Sequence, residues 1–226
     1  MLYFGFDPSL TCTGMCLVED DGKYIKSSRI STTNNRWLPN RIYYIFNEME
    51  KTISELKSNY PDIKVSLELP IKKLYNDDLL IMVKTCLWLN LVKYRIPFVC
   101  FSPTHIQNYM KESGPQFNYS SKSTGTCKLS KLFLEREGVS NLYTGIKKVK
   151  KLQKDESDAF MVARLGVRFW KFHDMWHSGS PDTATSFTEK ELEMFGSKTV
   201  KKSNKKVRVL RGIIHNKGLE YFTFDD

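Results

Sequence analysis

Leu2-Tyr3-Phe4-Gly5-Phe6-Asp7-Pro8-Ser9-Leu10-Thr11-Cys12-Thr13-Gly14-Met15-Cys16-Leu17-Val18 is the stretch that decides the fold. An apolar and aromatic run ends in one aspartate, Pro-Ser and Thr-Gly follow, and a second apolar run begins. The pattern predicts a buried strand carrying Asp7 at its C-terminal end, a turn, and a partner strand. Pro8 has no N–H to give a ladder, so the first strand stops at Asp7. Gly5 leaves room beside the strand for another backbone or a ligand. A carboxylate ending a central strand must be paired, hydrogen-bonded or metal-bound to offset its desolvation. The same residue also suits a turn aspartate capping Ser9 or Leu10, and this stretch alone leaves both readings open.

The surrounding chain sets the scale. Its 226 residues suit one domain, or one with an appendage, and 41% hydrophobic content suffices for a substantial core. No apolar run reaches the ~18 residues of a membrane span. The N-terminus shows neither a basic n-region nor a small-residue cleavage site, so an intracellular, non-secreted protein is expected. Cys12, Cys16, Cys86, Cys100 and Cys127 lack Cys-x-x-Cys or Cys/His zinc spacing and read as reduced packing residues. A net charge of +10 favours a polyanionic partner, nucleic acid first.

Continuing in order, Glu19–Gly22 supplies a turn and Lys23–Ser31 a third strand, completing an antiparallel meander. Pro39 opens a helix whose Ile42, Ile45, Phe46, Met49, Ile53 and Leu56 form one apolar face. Ile63–Pro70 reads as a strand with Glu68 near its end. Alternation with Val65, Leu67 and Leu69 equally allows Glu68 to face water. A basic segment with Lys72, Lys73, Leu74 and Tyr75 precedes a long, largely apolar helix over Asp77–Tyr94, buried in the core or shared with a second subunit. Pro97–Phe101 is a short strand, and Ser102-Pro103 starts a short helix. A polar stretch follows, with Lys122 and then Lys128 at its edges, and a helix is expected from about Cys127 to Glu137.

Lys147, Lys148, Lys150 and Lys151 lead into Asp155-Glu156-Ser157-Asp158-Ala159, which opens a helix running to about Trp176. Asp155 and Asp158, three apart, share a helix face. Acids in a first turn also suit the helix dipole, and Asp155 is a possible N-cap. Beyond residue 176 the composition turns polar. Thr188 and Glu191 form a capping box for a helix through Phe195. Val207–His215 and Leu219–Phe224 alternate and predict a basic hairpin. The expected organisation is therefore α/β: a mixed five-stranded sheet, antiparallel meander then parallel strands, flanked by helices over residues 1–176. Residues 177–226 supply a linker, a short helix and the basic hairpin.

A parallel continuation of the meander sets the ends of the first and fourth strands side by side, and a last helix docking there adds Asp155 and Asp158. Four carboxylates so placed require cations, and hard oxygen donors suit magnesium or manganese. Two such ions clamp the attacking and leaving oxygens of a phosphoryl displacement.

From about residue 1 to 175 the chain resembles the RuvC-type Holliday junction resolvases of the RNase H-like fold. Gly5-Phe6-Asp7-Pro8 with Thr13-Gly14 looks like that family's opening signature, Leu67-Glu68 like its strand-end glutamate, and Asp155-Glu156-Ser157-Asp158-Ala159 like its closing Asp-x-x-Asp-Ala. The resemblance implies a crossover junction endodeoxyribonuclease with Asp7, Glu68, Asp155 and Asp158 as catalytic metal ligands for two Mg2+ or Mn2+ ions. It further implies a homodimer that nicks four-way junctions symmetrically, leaving 5′-phosphate and 3′-hydroxyl ends. Lys128 matches a lysine that approaches the scissile phosphate, with Lys122 nearby. A second family lysine falls near Gln107, where Lys111 is the substitute. Leu74 or Tyr75 is the candidate for the residue that probes the junction. The 77–94 helix occupies the place of the family's dimer helix, but Met82, Thr85, Trp88 and Asn90 are bulkier or more polar than the family's small residues.

Lys72, Lys73, Lys147, Lys148, Lys150, Lys151, Lys201, Lys202, Lys205 and Lys206 are the remaining candidate DNA contacts. The added basic tail and the Lys, Asn and Tyr content suit a viral or phage protein. The alternatives are a broader branched or flap DNA nuclease, a non-catalytic branched-DNA binder, and an actin-like nucleotide-binding fold. The last would need a second domain and another glycine-rich phosphate loop.

Overall fold

The computed structural model describes residues 1–33, 37–68, 77–113, 152–195, 197–202, 205–210 and 219–224. Strands β1 (Leu2–Asp7), β2 (Cys12–Glu19) and β3 (Tyr24–Ser31) form the expected antiparallel meander. β1 stops at Asp7, before Pro8. Its other edge pairs in parallel with β4 (Lys64–Glu68), which pairs in parallel with β5 (Phe98–Phe101). Strand β3 is the sheet edge, and its exposed Lys26 and Arg29 discourage further strand pairing.

Among the described residues, four helices flank the sheet. α1 (Leu38–Asn59) and α2 (Asp77–Lys93) lie on one face, where Ile45, Met49 and Ile53 meet Val83, Leu87 and Leu91 over Phe4, Phe6, Val65 and Leu67. Asn90, counted among the polar departures of this helix, points inward instead. Its amide donates to the Phe46 carbonyl of α1 at 3.3 Å and to the Cys86 carbonyl at 3.1 Å. α3 (Pro103–Ser113) follows β5, with the Ser102 hydroxyl accepting from the His105 N–H at 3.3 Å, a serine N-cap. The opposite face of the sheet is taken by α4 (Leu152–His177), which starts one turn earlier than expected. Asp155 therefore lies in its first turn and is not the N-cap. No helix among the described residues is long and apolar enough to cross a membrane.

Two expectations need correction. The main sheet has six strands, in the order β3-β2-β1-β4-β5-β8, because β8 (Leu219–Phe222) adds antiparallel to β5. The predicted hairpin of Val207–His215 with Leu219–Phe224 does not form. β7 (Lys205–Leu210) pairs with β6 (Ser197–Lys202) in a separate ribbon. The reason is the edge of β5, which is buried along its whole length and would strand its backbone donors and acceptors without a neighbour. β8 covers it, burying Leu219 and stacking Phe222 on Phe98 with centroids 5.6 Å apart.

Helix α5 (Glu189–Phe195) opens with the predicted capping box: Glu191 N–H donates to Thr188 Oγ1 at 3.2 Å, and Thr188 N–H to Glu191 Oε2 at 2.9 Å. Glu191 also accepts a two-pronged hydrogen bond from Arg168 of α4, at 2.6 and 2.9 Å. Burial alone would raise the Glu191 carboxyl, but the Arg168 and Thr188 hydrogen bonds hold it below its ordinary value. A depressed carboxyl contributes stability above its unfolded pKa of about 4.3 that is lost as pH falls through the folded value. Glu191→Gln should cost ~2–3 kcal/mol, or about 4–12 °C in Tm at pH 7, with a shallower fall of Tm below about pH 4.5 than wild type. Thermal unfolding followed by circular dichroism across pH 3–8 measures both.

Candidate active site

Alternation along the strands assigns the sheet's two faces. Phe4 and Phe6 point into the α1–α2 core, so Gly5 and Asp7 belong to the α4 side. On β4, Val65 and Leu67 join the α1–α2 core, while Lys64 pairs with Asp174 of α4 and Ser66 Oγ donates to the Val162 carbonyl of α4 at 3.0 Å. Glu68 continues the Lys64–Ser66 row and lies on the α4 face. Phe6 is in register with Leu67, which makes Asp7 and Glu68 the next pair on strands ~4.8 Å apart.

Glycine decides how close α4 comes. Gly14 is the antiparallel partner of Asp7. A Cβ on Gly14 would lie 2.0 Å from the Asp155 carbonyl oxygen, and one on Gly5 2.2 Å from that of Ala159. Further along, a Cβ on Gly166 would meet Ser66 Oγ at 2.3 Å. The helix backbone thus rests directly on β1 and β2, and its first turns cross the end of β1. Asp158 lies in the helix between the two residues that touch Gly14 and Gly5, and it is buried to 5% exposure.

Neighbouring groups fix this end. The Asp155 carboxylate takes a hydrogen bond from the Cys12 thiol. That thiol is pushed up to about 11, first by burial and further by Asp155, and so stays protonated near neutral pH. Burial also raises the Glu156 carboxyl, against opposing interactions with Arg29 and Ser27 of β3. Buried Thr13 closes the turn after Asp7, donating to the Ser9 carbonyl at 2.9 Å and accepting from the Ser9 N–H at 3.1 Å. Arg41 of α1, 8% exposed, donates to the Leu10 carbonyl at 3.2 Å and to Thr32 Oγ1 at 3.3 Å. Cys12 and Arg41 were missed in the sequence as site residues. Their signals are Cys12 two residues before Gly14 on one strand face, and Arg41 four before Ile45 on the apolar stripe of α1.

Asp7, Glu68, Asp155 and Asp158 are thus brought to one end of one sheet face by two strand ends and a helix start. Their donor chemistry, carboxylates only, fits a hard divalent cation. Among the described residues, however, no three His, Cys, Asp or Glu side chains are drawn together into a metal-holding group. Lys111 falls in the last turns of α3. Lys201 pairs in register with Lys206, and Lys202 with Lys205, across the β6–β7 ribbon. Lys72, Lys73, Leu74, Tyr75, Lys122, Lys128, Lys147, Lys148, Lys150 and Lys151 lie outside the described residues, as does the helix expected near Cys127–Glu137.

No family model and no curated protein matches the chain. Solved structures do. RuvC of T. thermophilus in complex with a Holliday junction substrate aligns at a TM-score of 0.51 and 11% identity, over 80% of this chain and 96% of that one. A second Thermus thermophilus RuvC structure aligns at 0.52 and 14%, over 80% and 98%. The shared architecture is the RNase H-like α/β fold, a mixed sheet flanked by helices.

Gly14→Ala should lower stability by up to ~3 kcal/mol, about 6–12 °C in Tm, since its contact is backbone that has nowhere to yield. Thermal denaturation of the variant beside wild type checks this.

Proposed function

We propose that this chain is a divalent-cation-dependent, structure-selective DNA endonuclease that resolves four-way junctions by paired symmetric nicks, leaving 5′-phosphate and 3′-hydroxyl ends. The observation that carries the reading is the placement of Asp7, Glu68, Asp155 and Asp158 on two strand ends and a helix start at one end of one sheet face. A protein that only bound DNA would have little use for four acids beside phosphates. These residues would hold one or two magnesium or manganese ions, which when bound supply an activated water and charge neutralisation at the phosphate. The protein's own part is positional. Cys12 donates to Asp155 and orients it, Thr13 and Arg41 hold the turn behind Asp7, and the Gly14 contact sets the height of the helix over the strand ends. Lys128, with Lys122 and Lys111, is assigned to the scissile phosphate.

The fold neighbour whose structure contains a Holliday junction substrate supports the choice of branched DNA. Charge supports it too. The backbone register sets Lys201 opposite Lys206 and Lys202 opposite Lys205, and these four lysines are proposed as phosphate contacts. Lys72, Lys73, Lys147, Lys148, Lys150 and Lys151 are proposed as further phosphate contacts, with Leu74 or Tyr75 inserting among bases. A homodimer is proposed through the outer surface of α1 and α2. There Leu38, Pro39, Ile42, Phe46 and Met82 line an apolar groove of about 460 Å3, with Tyr43 and Leu89 well exposed close by on the same two helices.

Asp7→Asn should leave junction binding intact or tighter and reduce nicking at least ~100-fold, more than removing an outer-shell partner costs at a metal site. A gel assay on labelled four-way junction, flap and duplex, with magnesium or EDTA, reads this. Retained nicking would contradict the carboxylate assignment, and equal cutting of flaps would favour the broader branched-DNA nuclease. Replacing Lys201, Lys202, Lys205 and Lys206 by Gln should flatten the log–log salt dependence of junction binding, by up to about 0.9 for each phosphate the lysines no longer neutralise. An unchanged slope would remove the ribbon from the DNA interface.

A further inference from the structure

At the end of the sheet opposite the carboxylates, where β4 and β5 begin, a cleft of about 700 Å3 is lined by Lys57, Asp62, Lys64, Lys93, Arg95 and Phe224 among others. Four of these six side chains are cationic and one is acidic. Lys64 is paired with Asp174 at 2.7 Å and Lys93 with Glu50, so both also tie helices together. Lys57 donates to the Pro61 carbonyl at 2.7 Å, a neutral acceptor.

Arg95 is the informative residue. Its φ of 49° lies in the left-handed region, the only such non-glycine value among the described residues. Helix α2 ends there in a Schellman motif: Arg95 N–H donates to the Val92 carbonyl and Ile96 N–H to that of Leu91, each at 3.0 Å. Leu91 and Ile96, both fully buried, provide the apolar contact that accompanies such an ending. Glycine occupies this position at least strain. An outlier of this kind points to a role for the residue that carries it. Here the exposed guanidinium lies on the cleft, 5.9 Å from the Phe224 ring centroid.

We propose that this cleft binds the phosphate backbone of a single-stranded nucleic acid segment, with Arg95 and Lys57 on phosphates and with Phe224 and Tyr94, which also lines the cleft, offering aromatic surface to the bases. Cations combined with aromatic side chains are what single-strand sites use. The cleft has the volume of a small-ligand pocket, which accommodates an extended strand segment rather than a duplex. Strands β1 and β4, at ~3.3 Å per residue, separate it from Asp7 and Glu68 by about 15–20 Å. A strand held there leaves the carboxylate end clear, so this is a second nucleic-acid site.

The test is fluorescence anisotropy of labelled (dT)12 with the full chain in EDTA, where no nicking is asked of the protein. Arg95→Gly should keep or raise Tm, because it relieves the left-handed strain, while weakening (dT)12 binding about 3–10-fold. It should also reduce the log–log salt slope by about 0.7. Lys57→Gln should weaken binding in the same direction, and four-way junction binding by both variants should stay within about twofold of wild type. A wild-type chain that does not bind (dT)12, or an Arg95→Gly protein that binds it as tightly as wild type, would overturn the proposal.

Discussion

The backbone-to-backbone contact between α4 and the first two strands is the constraint on which the rest of the structure depends. With side chains at positions 5 and 14, the Ala159 and Asp155 carbonyls would have to move away from the sheet. Ser66 adds a polar tie by donating to the Val162 carbonyl in the same seam. On its other sides α4 is wedged by aromatic residues, with Phe169 against Phe101 and Phe195, and Phe172 against Phe187. A helix gripped on both sides has little freedom to slide. That rigidity is what a site made from a helix start and two strand ends needs.

Charge is distributed to match. Asp7 and Glu68 close β1 and β4, while Lys57, Lys64, Lys93 and Arg95 lie at the opposite end of the sheet, two of them paired with Asp174 and Glu50. Buried acids elsewhere are compensated, as Glu191 is by Arg168. The carboxylate end is composed differently: Cys12 stays protonated there and donates, and Arg41, the buried cation nearby, is engaged with the Leu10 carbonyl and Thr32. Under the proposed function, such a surface would meet phosphates through cations of its own and through cations recruited from solution.

Much of this was legible in the sequence wherever periodicity and a chemical requirement agreed. The meander followed from apolar alternation broken at Pro8, and the α5 start from Thr188 and Glu191 at capping-box spacing. The strand-end acids followed from their position at the close of apolar runs. Strand pairing at the C-terminus was not legible, because it depends on the bare edge of β5, more than a hundred residues away. The lysines of Ser197–Lys202 also hid a strand whose alternation is weak. The start of α4 came earlier because Leu152, Gln153 and Lys154 are good helix formers that extend the helix past Asp155. The partners of Asn90 and Arg41 were not legible either, because a buried polar residue needs a specific carbonyl that only the fold supplies.

The central claim is that a helix seated on Gly14 and Gly5 completes a divalent-cation site with the ends of β1 and β4. Anomalous diffraction from crystals soaked in manganese tests it most directly. Manganese is expected among Asp7, Glu68 and Asp158, with Asp155 alongside, and is expected to be absent from Asp7→Asn. Manganese bound elsewhere, or undiminished in the variant, would contradict it.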